Sequence, residues 1–220
     1  PVLTTGSTLA YTENATSAIN TLITVADADN TTLSTATVSI TGGFVSGQDV
    51  LAFTNVPATM GNITGSYVAG TGVMTLSSAG NTATLAQWQA ALRAVTYNNS
   101  SDDPNTGART VSYTVNDSAA NSNTVTSTVN LTSVNDAPTL TATAASPTFT
   151  EGAGSTQAAA VSVFSGATTG TVESGQTITG LTFTVGGLLD GASERIVVDG
   201  TTITLGANSS GTTTTNGMSY

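Results

Sequence analysis

The sequence contains no cysteine, no histidine and no lysine, and only 7% of its 220 residues are charged. Without cysteine no disulfide can form, so stability must come from core packing or from a bound metal. The lack of histidine removes the commonest zinc ligand and the commonest general base. Together these absences argue against catalysis. Solubility must come instead from threonine, serine and asparagine, which favour strands and turns over helices.

The few charges present are strongly unbalanced. Thirteen acidic residues face three arginines, which gives a formal net charge of −10. Nucleic acids and anionic membranes attract basic patches, so neither is expected as a partner. No apolar run reaches the roughly 18 residues of a membrane-spanning helix, so membrane insertion is not expected. The acidity favours cations as ligands, and acids that only maintain solubility are the alternative.

Apolar and polar residues alternate through most of the first 136 positions. Val38 and Ile40 alternate with threonine and serine, and Val111, Tyr113 and Val115 show the same pattern later. Further strands are expected near 22–25, 51–56, 63–68, 73–76 and 125–131. Short period-two strands separated by turns are typical of β-sandwiches. The sequence therefore predicts an all-β fold.

One segment departs from this alternation. Thr84 is suited to begin a helix, with Gln87 three residues later in the capping-box position. Apolar residues then follow at helical spacing, namely Leu85, Trp88, Ala91, Leu92 and Val95. We therefore predict one short helix in the first domain. Trp88 is either a ligand platform or a core residue, and its aliphatic neighbours favour the core.

The chain also repeats itself. Pro1-Val2-Leu3-Thr4 leads to Glu13, and Pro138-Thr139-Leu140-Thr141 leads to Glu151. The two copies start 137 positions apart (138 − 1), and self-similarity at such a spacing indicates an array of repeats. The sequence predicts one domain over 1–136 and a second over 137–220. The second is shorter and has no counterpart of 84–117, so we expect it to be incomplete and to be finished by further chain or by a neighbouring molecule.

Strand character continues in the second domain. Leu181, Phe183 and Val185 alternate with polar or small residues, which predicts a strand. Asp199-Gly200 lies between two apolar runs, and such a pair is a strong hairpin signal.

Acidic and amide residues occupy turn positions in a regular order. They follow an early strand, the next apolar stretch and a late strand, and they precede Pro138: Glu13, Asp27, Asp29, Asp117, Asn135 and Asp136. Asp27 and Asp29 are two apart on extended chain, so both carboxylates point to one side and can share an ion. An EF-hand is excluded, because Val38 stands where its bidentate glutamate belongs. For the Asp27–Asp29 pair alone, a solvated turn is the alternative.

This order resembles a cadherin repeat, and more narrowly the cadherin-like tandem repeats of giant bacterial surface adhesins. The resemblance implies tandem cadherin-like or immunoglobulin-like β-sandwich repeats with calcium at their junctions. It implies that Glu13 points to the far end of its own domain, where Asn135 and Asp136 match the family's Asn-Asp linker. The other three acids correspond to ligands that face a preceding domain.

Three further acids are secondary candidates for the same calcium sites. The mid-domain Asp-Arg-Glu of vertebrate cadherins is missing, and Asp102 and Asp103 could substitute for it, although 103–107 also suits a plain turn. In the second domain Glu151 is retained without a following Asp-x-Asp, and Glu173 could compensate.

The resemblance implies a structural role outside the cell. The expected function is that of an extender unit of a secreted bacterial surface adhesin, in which calcium stiffens an array of repeats. Its expected partners are neighbouring repeats of the same polypeptide. The alternatives are a self-associating subunit of an extracellular fibre or surface layer, and a carbohydrate-binding module, which normally needs exposed aromatic faces. A glycosidase with two carboxylates is disfavoured, so we expect that the chain is not an enzyme.

Overall fold

The computed structural model describes residues 1–154, 156–206 and 208–220. The chain divides into two compact units. Unit 1 comprises Pro1–Asp136 and Val172–Ser174, and unit 2 comprises Ala137–Thr171 and Gly175–Tyr220. The two predicted domains and their character as tandem repeats stay predictions.

Unit 1 is built mainly of short strands, which confirms the predicted all-β class. The strands are β1 (Val2–Thr4), β2 (Thr8–Thr12), β3 (Thr16–Ala18), β4 (Thr24–Ala26), β5 (Thr35–Gly42), β6 (Asp49–Ala52), β7 (Ile63–Val68), β8 (Val73–Ser78), β9 (Thr96–Asn99), β10 (Arg109–Asn116) and β11 (Val125–Thr132). The helices are α1 (Pro57–Met60) and α2 (Leu85–Arg93), with a 3-10 turn at Ala79–Asn81.

The strands of unit 1 form one large sheet and two small ones. The large sheet has the order β2-β11-β10-β5-β8-β7, and the small sheets have the orders β3-β9-β6 and β1-β4. Neighbouring strands are antiparallel except β2 and β11, which are parallel. Buried and partly exposed residues alternate along the whole of β10, so one face of the strand packs into the protein, as the period-two pattern predicted.

Side chains from both larger sheets and from α2 meet in one core. Val38 and Tyr113 reach it from the six-stranded sheet, Leu51 and Tyr97 from the three-stranded sheet, and Trp88 from the helix. Full burial of an aliphatic side chain such as Val38 or Leu51 stabilises a fold by about 1.5–3 kcal/mol. Two sheets that share a core are the arrangement of a β-sandwich.

Helix α2 begins as the sequence predicted. The Thr84 hydroxyl accepts from the Gln87 N–H at 3.3 Å, and the Gln87 side chain accepts from the Thr84 N–H at 2.9 Å, which completes a capping box. Trp88 is fully buried, and its indole N–H donates to the Leu33 carbonyl at 3.1 Å. It is therefore a core residue and offers no face to a ligand.

Two boundaries in unit 1 differ from the sequence pattern. The strand predicted over 51–56 leaves the sheet after Ala52, and Pro57 then begins the single turn α1. Proline fixes the φ angle of a first helical position and lacks an N–H that a sheet would need, so it favours this helical start. The apolar run at 22–25 contributes only its end to β4.

Unit 2 contains two strand pairs within its described residues. β12 (Thr139–Ala144) pairs with β13 (Phe164–Gly170), and β14 (Arg195–Val198) pairs with β15 (Thr201–Thr204), both antiparallel. A 3-10 turn covers Gly191–Ser193. Asp199 and Gly200 join β14 and β15 with φ angles of 47° and 77°, as a two-residue hairpin requires, so the predicted hairpin is confirmed.

The prediction of a strand at Leu181–Val185 is wrong. These residues form no strand, and Leu181 and Phe183 are 63% and 50% exposed. Alternation selects a face only when a partner strand pairs with the backbone, and no described residue supplies that partner. No helix in the described parts of either unit is long and apolar enough to cross a bilayer.

Candidate metal centre

The predicted metal ligands gather at the two ends of strand β10. Eight residues of β10 span about 25 Å at about 3.3 Å per residue. The loop that carries Asp102 and Asp103 precedes this strand, and Asp117 follows it. β2 and β11 both end on the side where β10 begins, which places Glu13 and the chain leading to Asp136 on the side of that loop.

The first group, called the Asp27 cluster, lies at the end of β10. It consists of Asp27, Asp29, Asn30 and Asp117. Asp27 Oδ1 accepts from the backbone N–H groups of Asp29 and Asn30 at 3.2 and 3.1 Å. The Asn30 side-chain amide donates to Asp117 Oδ2 at 3.2 Å and so joins the two turns. The Pro1 amino group lies 3.1 Å from Asp27 Oδ2.

Charges in the Asp27 cluster influence one another. Hydrogen bonds from the backbone, above all from the Asp29 N–H, hold the pKa of Asp27 well below its usual value. A hydrogen bond shared with the Asp27 carboxyl, together with the charge of that carboxylate, raises the pKa of Asp29. The N–H groups of Ala120 and Ala119 lower the pKa of Asp117. The neighbouring Asp27 carboxylate therefore disfavours the ionised form of Asp29.

Replacement of Asp29 by asparagine should raise the melting temperature in the presence of a chelator at pH 7. A folded-state pKa above the unfolded value contributes stability only at low pH, and that stability is lost as the pH rises through the folded pKa. At pH 7 the ionised Asp29 therefore costs stability, and the uncharged amide removes this cost.

Scanning calorimetry in chelator at pH 7 and at pH 3 measures the Asp29→Asn effect, which should vanish at the lower pH. Asp190→Asn removes the same charge at an exposed position outside both clusters and serves as the matched control. An equal shift in the two variants at pH 7 would contradict repulsion at Asp29.

The second group, called the Glu13 cluster, lies at the start of β10. It consists of Glu13, Asn14, Asp102, Asp103, Asp136 and Glu173. The Asn14 side-chain amide donates to Asp102 Oδ1 at 3.2 Å. The Ser174 backbone N–H donates to Asp103 Oδ2 at 2.9 Å and lowers the pKa of Asp103. The Asp102–Asp103 loop thus contacts both the turn after β2 and the 172–174 segment.

Three acids of the Glu13 cluster have oxygens that are shielded from solvent. Glu13 is only 6% exposed, and its backbone N–H donates to the Thr132 carbonyl at 3.1 Å. The Asp136 N–H donates to Glu173 Oε1. The remaining oxygens Glu13 Oε2, Asp136 Oδ2 and Glu173 Oε2 are buried without a hydrogen-bond partner. A buried carboxylate oxygen without a donor is costly, and a cation is one of the few groups that can offset this cost.

The donor set of the Glu13 cluster fits a hard cation. In the described part of the chain the ion pairs are Asp27 with Pro1 and Asp49 with Arg109, so the acids of this cluster have no basic partner there. The ligands on offer are carboxylate oxygens, and Asn135 adjoins them in sequence. Calcium prefers such a set, with six to eight oxygens in its shell.

The carboxylates of the cluster are not assembled into a finished site. Within residues 1–154, 156–206 and 208–220, no three acidic side chains lie close enough together to form a ready-made metal site. A cation bound by the Glu13 cluster must therefore draw part of its shell from amide, backbone or water oxygens.

The sequence pattern missed a buried charged group in unit 1. Asp49 begins β6 and is 1% exposed. Its carboxylate pairs with Arg109 Nε at 3.1 Å and accepts from the Tyr97 hydroxyl at 2.5 Å. Burial, reinforced by the hydrogen bond to Asp49, raises the pKa of Tyr97. The only sequence signal was that Arg109 is one of three bases in the whole chain.

Comparisons with known proteins give one partial relative. No family model matches the chain, and no solved structure matches it. The chain is 40% identical over 101 residues to Halomucin of Haloquadratum walsbyi (strain DSM 16790 / HBSQ001), a large surface protein. The match covers 44% of this chain and 1% of halomucin. This weak, partial similarity suggests a cell-surface or secreted protein, and the cadherin-like repeat stays a hypothesis.

Proposed function

We propose that the chain is a structural segment of an extracellular surface protein in which calcium, bound by the Glu13 cluster, stiffens a cadherin-like array. The observation that carries this proposal is the set of three shielded, unpartnered oxygens on Glu13, Asp136 and Glu173. The similarity to halomucin supports the surface location only. Adhesion, a bacterial source and the lack of enzymatic activity belong to the same proposal.

The proposed role of calcium is mechanical. At most two of the carboxylates of Glu13, Asp136 and Glu173 would bind the ion directly, and amide, backbone or water oxygens would complete its shell, with Asp102, Asp103 and Asn135 in the same part of the chain or fold. A bound divalent cation supplies the positive charge that lets these carboxylates stay together without repulsion. Because Asp136 lies where the main run of unit 1 ends, binding there would restrict bending of the chain at that point.

Addition of calcium should therefore raise the stability of unit 1. With a dissociation constant of about 10⁻⁴–10⁻³ M, typical of extracellular sites, about 10 mM calcium should add about 1.4–2.7 kcal/mol by linked binding. Scanning calorimetry in calcium, in magnesium and in chelator measures this gain. Magnesium should stabilise less, because it demands a tighter octahedral shell.

Matched variants test where the calcium acts. Asp136→Asn and Glu173→Gln should each reduce the calcium-dependent gain, since each removes a shielded carboxylate from the Glu13 cluster. Asp190→Asn should leave it unchanged. A melting curve that is the same in calcium and in chelator would overturn the proposed calcium role.

A second candidate function, self-association into a fibre or surface layer, is favoured by exposed apolar residues in unit 2. Leu3 and Tyr11 are each 1% exposed in unit 1. Leu140, which repeats Leu3, and Phe149, which precedes Glu151 by two residues as Tyr11 precedes Glu13, are 57% and 56% exposed. An apolar surface of this kind is often covered by another chain. Sedimentation of the same protein distinguishes the two functions, because stable oligomers without calcium would favour self-association.

A further inference from the structure

The buried Asp49–Arg109 pair supplies no ligand to the proposed calcium site. Both residues are 1% exposed, and Arg109 Nε lies 3.1 and 3.3 Å from the two oxygens of Asp49. The carboxylate also accepts from the Tyr97 hydroxyl, from Asn99 Nδ2 at 2.7 Å and from the Val45 N–H at 2.7 Å. Two charges removed from water need such partners to be tolerated.

Hydrogen bonds from this pair reach both ends of loop 101–107, which carries Asp102 and Asp103. At the entry to the loop, the Asn99 side-chain nitrogen donates to the Asp49 carboxylate. The Asn99 side-chain oxygen accepts from the backbone N–H of Ser101, the first residue of the loop, at 3.0 Å. At the exit, Arg109 Nη1 donates to the carbonyl of Asn105 at 2.7 Å and to the carbonyl of Gly107.

The same buried group also fixes the turn that carries Glu13. The Tyr11 hydroxyl accepts from the Asn99 N–H at 2.8 Å and donates to the Ala15 carbonyl at 2.7 Å, so it links the two sides of the turn to Asn99. The Tyr11 ring packs edge-on against Tyr97, with centroids 4.8 Å apart. One buried centre is thus connected to the loop and to the turn of the Glu13 cluster.

We propose that the Asp49–Arg109 pair is a positioning device for the cation site of the Glu13 cluster. Neither residue touches the cation. Their hydrogen bonds hold loop 101–107 and the Glu13 turn in the arrangement from which the carboxylates bind. This inference rests on the proposed calcium function, and it predicts that a change at Arg109 alters calcium affinity separately from overall stability.

Arg109→Lys is the discriminating variant. Lysine keeps the positive charge beside Asp49, but its single ammonium group cannot also span the two loop carbonyls. Substitution of a group that orients metal ligands typically lowers metal affinity about 10–100-fold. We therefore expect the calcium dissociation constant, measured by isothermal titration calorimetry, to rise at least about tenfold. Ile63→Val removes a buried methylene from β7, the opposite edge of the sheet from β2, and should leave the affinity unchanged.

Hydrogen exchange in chelator supplies a readout that does not depend on calcium. Arg109→Lys should speed exchange of the loop N–H groups of Ser101 and Gly107, whereas Ile63→Val should not. If Arg109→Lys does not fold, Asn99→Ala tests the same link, because it releases the entry to the loop and leaves the ion pair intact.

The possible outcomes separate the two proposals. Weaker calcium binding together with faster loop exchange supports the positioning role. If the unsubstituted chain binds calcium and the calcium affinity is unchanged in Arg109→Lys and Asn99→Ala, the positioning role is overturned and the proposed calcium function is not affected. If the unsubstituted chain does not bind calcium, both the proposed function and the positioning role towards a cation are overturned. The exchange data then show only whether the Asp49–Arg109 pair orders loop 101–107.

Discussion

Replacement of Arg109 by methionine should destabilise unit 1 by about 3–5 kcal/mol, the usual cost when one partner of a buried ion pair is removed. Methionine fills much of the space of the arginine chain but leaves the Asp49 carboxylate without a counter-charge at 1% exposure. Neutral donors on Tyr97, Asn99 and Val45 remain, so the loss should fall towards the lower end of this range. Urea unfolding followed by circular dichroism measures the difference.

The double variant Asp49→Asn, Arg109→Met is the control for this prediction. An asparagine at position 49 keeps the hydrogen-bonding shape and needs no counter-charge, so the double variant should be more stable than Arg109→Met alone. The coupling between the two positions would then be read directly from the double-mutant cycle. A loss below about 1 kcal/mol in Arg109→Met would show that the pair contributes little to folding.

Local patterns in the sequence were sufficient to predict several elements. Alternation in β5, β10 and β11 identified strands, because each of these strands buries one face and period two is the direct consequence. The capping box at Thr84 identified α2, and Asp199-Gly200 identified the β14–β15 hairpin. In all of these cases the physical cause lies within a few residues of the signal.

Features that depend on distant partners were not predicted. Asp49 and Arg109 are sixty positions apart, and nothing in a single sequence joins them. Leu181–Val185 alternates without becoming a strand, because alternation does not supply the neighbouring backbone that a strand requires.

The candidate site was predicted only in part. The order of acids at turns selected Glu13 and Asp136, Glu173 was a secondary candidate in the second domain, and the structure shows which of their oxygens are shielded. Shielding depends on how the turn after β2, loop 101–107 and the 172–174 segment pack, which no local pattern encodes. The Asn14–Asp102 and Asp103–Ser174 contacts explain why the loop belongs to the cluster at all.

Replacement of Trp88 by alanine should destabilise unit 1 by about 3–5 kcal/mol, the range for removal of a large aromatic side chain from a packed core. Trp88 is fully buried among residues of α2 and both larger sheets. The alanine variant leaves a cavity and also removes the donor to the Leu33 carbonyl. Equilibrium urea unfolding followed by circular dichroism gives the loss, because the variant has no tryptophan fluorescence.

Trp88→Phe separates the two contributions to that loss. Phenylalanine retains much of the apolar volume but cannot donate to the Leu33 carbonyl, so the cost should be about 1–3 kcal/mol, the penalty for one unsatisfied buried acceptor plus a smaller void.

The fluorescence of the single tryptophan in the unsubstituted chain should also not respond to added oligosaccharides, because the ring has no exposed face. A loss below about 1 kcal/mol in the alanine variant, or a fluorescence change on sugar addition, would mean that Trp88 is not the core residue on which both larger sheets and α2 pack.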